Sequence, residues 1–80
     1  MISAELLPTA VKRALKCAEA AQTECIAIYV HGDRLAVRCW PHSRVGAPPD
    51  ATLVGVYRGI PYAAQLTDDV LAAGEQREPA

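Results

Sequence analysis

Apolar and polar positions recur along this chain with two different periods. From Pro8 to Gln22 the residues Val11, Ala14, Leu15 and Ala18 fall at i, i+3, i+4 and i+7, Leu7 extends the stripe, and Lys12, Arg13, Lys16 and Glu19 lie opposite. This spacing predicts an amphipathic helix, with Pro8 in the first turn, where a missing N–H costs nothing, or Thr9 as the cap. The period then shortens to two. Cys25 to Val30 and Arg34 to Trp40 alternate on either side of His31-Gly32-Asp33, which predicts a β-hairpin. A two-residue Gly32-Asp33 loop pairs Val30 with Leu35, Ile28 with Val37 and Ile26 with Cys39, collecting six apolar residues on one face. A three-residue loop sets Ile26 beside Arg38 instead, so hydrophobic matching selects the shorter turn.

Pro41 ends the second strand, and residues 41 to 50 form a loop rich in Pro, Gly and Ala. Thr52 to Arg58 resumes the alternation as a third strand, with Val54 and Val56 as its expected inward residues and Gly59 as its stop. Pro61 to Ala73 reads as a second helix, with Tyr62, Ala63, Leu66, Val70 and Ala73 on one stripe and Gly74 just past the end. A shorter helix capped by Thr67, with Asp68 and Asp69 in its first turn, is the alternative, and a strand at Tyr62 to Leu66 is a third. The fold class expected is α+β, a three-stranded antiparallel meander with two helices in the order α-β-β-β-α. One domain spans residues 1–74, and residues 75–80 form a disordered tail.

At 80 residues the chain buries only about 60% of its unfolded surface, so its stability margin is thin. With Tyr29, Trp40, Tyr57 and Tyr62 as its aromatics and no Phe, the core is built mostly from Ile, Val, Leu and Ala, and either a partner or a second copy of the chain would supply part of the missing burial. Residues 12–58 hold seven Lys/Arg against four Asp/Glu, whereas residues 59–80 hold one against four. The middle is mildly basic, short of what a dedicated duplex-DNA binder carries. Three cysteines without a CxxC pair, and no signal-peptide pattern after Met1, predict a reducing, cytoplasmic compartment, and no apolar run is long enough to span a membrane. Six Arg against two Lys, abundant Ala, and no Asn or Phe fit a GC-rich genome, bacterial or phage.

Candidate chemistry changes this picture little. The register puts Cys39 on the apolar face and Cys25 across from Trp40 on the other, so they neither bridge nor converge on a metal, and no metal or cofactor is expected. Cys39 with His42, Ser43 with His42, and His31 with Asp33 are sequence neighbours without an orienting third group, so no catalytic residue is assigned. The non-core face of the hairpin carries Tyr29, His31, Arg34, Ala36, Arg38 and Trp40, with Tyr57 as its extension on the third strand. Trp, Tyr and Arg combine large apolar area with a polar end and few rotamers to freeze, which makes Tyr29, Arg34, Arg38, Trp40 and Tyr57 a candidate protein-binding face. The competing expectation is that the second helix covers these residues as a minor core. The expected function is a non-enzymatic accessory protein that binds another protein, as an inhibitor of a host or defence complex. Single-stranded nucleic-acid binding by the same aromatic and arginine face is the alternative, and a small enzyme with a dimer-built pocket around His42 or His31 is a second.

Overall fold

In the first periodic segment Leu7, Val11, Ala14 and Ala18 are buried and the charged residues between them exposed, as an amphipathic helix requires. The computed structural model describes residues 2–42 and 44–77. Its elements are α1 (Leu7–Ala21), β1 (Cys25–His31), β2 (Arg34–Trp40), β3 (Thr52–Arg58) and α2 (Ala63–Arg77). Pro8 sits in the first turn of α1, and the helix ends where Gln22 takes a left-handed backbone with φ +49°. That conformation lets the chain reverse into β1, but in a residue with a Cβ it is strained.

The hairpin has the expected register: Val30 opposite Leu35, Ile28 opposite Val37, Ile26 opposite Cys39 and Cys25 opposite Trp40. Gly32, at φ +63°, supplies the turn conformation that matches the twist of the strands. The third strand departs from the meander. The order is β2-β1-β3, so β1, not β2, is central, and β3 runs antiparallel to β1 on its other side. The reason lies in the strands themselves. Residues 26 to 30 of β1 are buried without interruption, so both of its faces are apolar, whereas β2 carries Arg34, Arg38 and Trp40 on one face and suits an edge. Because β2 and β3 both oppose β1, they run parallel to each other, and residues 41–51 form a crossover rather than a hairpin turn.

Both helices pack on the same side. Ile26, Ile28 and Val30 of β1 are sealed beneath Leu7, Val11, Ala14 and Ala18 of α1 and Leu66 and Val70 of α2, with Leu35, Val37 and Val54 at the margin. Val54 is therefore inward as expected, but Val56 is not. A bulge at the step from Ile28 to Tyr29 in the β1–β3 pairing sets Val56 opposite Ala27, on the helix-free face, where it is 42% exposed. Tyr62 lies outside α2 and is exposed, its carbonyl accepting the first-turn bond from Leu66. Gly74 does not end α2, because its backbone stays helical and the helix continues to Arg77, into the segment expected to be tail; residues 78–80 lie outside the described residues.

Replacing Gln22 by Gly removes the Cβ strain at the end of α1 while keeping the reversal. Gln22→Gly should raise the unfolding free energy by about 1 kcal/mol in urea titrations, with the slope of the transition unchanged; no gain would show that the left-handed cap is unstrained.

Candidate binding face

On the side away from the helices the paired strands present three rows of side chains. They are Trp40, Cys25 and Arg58; Arg38, Ala27 and Val56; and Ala36, Tyr29 and Leu53, with Arg34 and His31 closing the hairpin end. Neither helix covers them. Trp40 is 39%, Val56 42% and Leu53 45% exposed, so indole on β2 and aliphatic side chains on β3 face outward on either side of β1. Arg34 is exposed at the rim, while Arg58 pairs with Glu24 at 3.0 Å.

Ala27 and Tyr29, in the middle column, are nonetheless buried. The crossover explains Tyr29. His42 lies on this face, its ring stacked on Tyr29 with centroids 5.9 Å apart and edge-on to Trp40 at 5.1 Å. The Tyr29 hydroxyl and His42 Nε2 share a hydrogen bond of 2.7 Å. Spanning from row one to row three, the imidazole pins the start of the crossover to the sheet. Arg38, in the row between, is half-buried and turns its Nη1 to the Val37 carbonyl at 3.0 Å. Among the described residues neither Arg38 Nε nor His42 Nδ1, both buried, has a hydrogen-bond partner. Such groups cost about 1–3 kcal/mol each while they stay unpaired.

Comparison with family models, curated proteins and solved structures finds no match for this chain. Function must therefore be read from side-chain geometry, which the fold alone does not determine. Of the five residues expected on the face, Tyr29, Arg34, Arg38 and Trp40 are there together, although Tyr29 is covered by His42. Tyr57 is not. Its partner is Ile26, so it points under α2, where the ring lies across Gly55 and the hydroxyl donates to Asp69 Oδ2 at 2.5 Å. A Cβ at position 55 would stand 3.1 Å from the tyrosine oxygen, so the glycine makes room for the ring. In its place the face gains Leu53 and Val56, the aliphatic part that the sequence pattern missed. The bulge responsible leaves no mark in residue type, but the doubly apolar β1 does signal a third strand on its far side.

Burial first, and then the hydrogen bond to the Asp69 carboxylate and its negative charge, hold the Tyr57 hydroxyl protonated well above the ordinary tyrosine range. Since the unfolded chain releases this proton near pH 10, the contribution is intact below about pH 10 and fades as the pH rises through the higher folded value. Tyr57→Phe should cost about 1.5–3 kcal/mol in urea unfolding at pH 7, the worth of a hydrogen bond to a charged acceptor. It should also flatten the fall in stability between pH 9.5 and 11. Equal slopes together with an unchanged unfolding free energy at pH 7 would show that Tyr57 does not anchor α2.

Proposed function

We propose that this chain is a non-enzymatic accessory protein, of bacterial or phage origin, that acts by binding another protein through the helix-free face of its sheet. The observation that carries this reading is the simultaneous exposure of Trp40 on β2 and of Leu53 and Val56 on β3, on either side of the His42-covered Tyr29, with arginine at the margin of the face. Exposed large apolar side chains with guanidinium groups beside them are the composition of a protein-binding hot spot. Single-strand nucleic-acid binding requires open aromatic faces on which bases stack. Here Tyr29 is already stacked by His42, Trp40 is the one half-open ring on the face, and its neighbours are aliphatic. Two of the arginines are also engaged, Arg38 with the Val37 carbonyl and Arg58 with Glu24.

The same burial favours binding over chemistry. The Tyr29–His42 pair has hydrogen-bond geometry suited to proton transfer, yet Tyr29 is 5% exposed and offers no approach to a substrate. A small domain of this kind acts by occupying a surface, which is how an inhibitor of a larger complex works.

Capture on the immobilised chain, followed by titration of the purified partner, tests the proposal. Trp40→Ala with Leu53→Asp should weaken partner binding by 100-fold or more, about 3 kcal/mol, with circular dichroism unchanged. Binding by the wild-type chain should vary little with salt. Undiminished binding by the variant rejects this face, and a log-linear salt slope of several units points to nucleic acid instead.

A further inference from the structure

β2 is an edge strand, and the hairpin register divides its backbone groups between the two sides. In an antiparallel pair, alternate residues bond the partner strand while those between them point their N–H and C=O groups away. The two-residue turn makes His31 and Arg34 the bonded closing pair, so Arg34, Ala36, Arg38 and Trp40 bond to β1, and Leu35, Val37 and Cys39 point outward. Among the described residues no backbone bond from α1 or the crossover reaches these outward groups. The Val37 carbonyl is met only by the side chain of its neighbour Arg38. An open groove of about 310 Å3 runs beside them, bounded by Val37, Arg38, Cys39, Arg44 and Val45. The opposite edge differs, because β3 carries the bulge at Val54, and a bulge breaks the regular ladder that an incoming strand needs.

We infer that β2 pairs with β2 of a second copy of this chain, antiparallel about a two-fold axis at Val37, joining two sheets into one of six strands. Charge and paired length together select that register. With the axis at Val37, Arg34 stands opposite Trp40 of the second copy, Leu35 opposite Cys39, and Arg38 opposite Ala36. Cation meets indole, aliphatic meets thiol, and the long guanidinium side chain meets a methyl group. Moving the axis to Ala36 sets Arg34 against Arg38, and moving it to Arg38 sets that residue against its own copy. Like charges directly opposite oppose pairing, so the arginines disfavour the two neighbouring registers; axes at Leu35 or Cys39 escape that repulsion but pair only three residues of the strand, against all seven with the axis at Val37.

The helix side of β2 also lacks cover that a second copy supplies. Leu35 and Val37 are half-buried and Cys39 exposed, whereas their partners on β1 are sealed. At the start of α1, the capping residue Leu6, 47% exposed, with Ala10 and Arg13 of the helix bounds an open groove of about 370 Å3 against the start of β2. Association exchanges the Arg38 contact on Val37 for a ladder bond and releases the guanidinium toward Ala36 of the second copy. This inference concerns the edge of the sheet and requires no other protein, so it is tested on the purified chain alone.

Sedimentation equilibrium of the purified chain from 10 μM to 1 mM tests it. A mass rising from 8.5 kDa toward twice that value is expected. Val37→Pro, which removes an outward N–H and spares the β1 ladder, should remain monomeric with unchanged circular dichroism. Ala36→Glu places a carboxylate opposite Arg38 and should tighten the dimer, while Ala36→Arg should loosen it, the two differing by roughly tenfold or more in dissociation constant. If Val37→Pro fails to fold, the Ala36 pair decides alone. A wild-type chain still monomeric at 1 mM, or a dimer indifferent to the Ala36 substitutions, overturns the inference.

Discussion

The arrangement of this molecule follows from one constraint: β1 is apolar on both faces, so both must be screened from water. Ile26, Ile28 and Val30 must be roofed by the helices, and Ala27 and Tyr29 must be screened on the other side. Placing β1 in the centre meets both demands, since flanking strands cover its backbone and narrow the exposure of its side chains. The rest is geometric consequence. Two strands that both oppose β1 are parallel, their connection must cross the sheet, and the helices already occupy one face. His42 is thereby delivered onto Tyr29 on the other.

This division of labour gives the two faces different physical characters. The helix side is a small aliphatic core, closed at one end by the Tyr57–Asp69 hydrogen bond between β3 and α2. The other side is screened only at its centre, by one imidazole, and leaves indole and aliphatic surface open around it. An 80-residue chain has little core to spare, so leaving Trp40, Leu53 and Val56 in water forgoes burial that it could use. Completion of that surface by a partner protein, and of the β2 edge by a second copy, would recover burial the isolated chain lacks. Both proposals involve β2, one through its outward-facing side chains and the other through its outward-pointing backbone.

Local structure was legible in the residues because it obeys local rules. The Gly32-Asp33 turn and the alternation on either side of it determine the hairpin register, and Pro8 with the Val11–Ala18 stripe determines α1. Non-local structure was less so. Strand order depends on which strand most needs two neighbours, and the uninterrupted apolar run from Ile26 to Val30 carries that information more clearly than chain order does. The length of the connection from Pro41 to Ala51 agrees, since a hairpin turn needs only a few residues. Tyr57 and Val56 lie on the sides opposite to those the alternation predicts, because the β3 register depends on a bulge, which changes the side of every residue beyond it. Gly74 shows the converse limit, as a glycine stops a helix only where the backbone turns left-handed.

The most direct measurement is a two-dimensional nuclear Overhauser spectrum of the labelled chain. With β1 central, the α-protons of Ala27 and Val56 face each other across a non-hydrogen-bonded pair and give a strong cross-peak, and the His42 ring protons give cross-peaks to the rings of Tyr29 and Trp40. Cross-peaks joining β2 directly to β3, with none between Ala27 and Val56, would contradict the strand order and remove the exposed face with it.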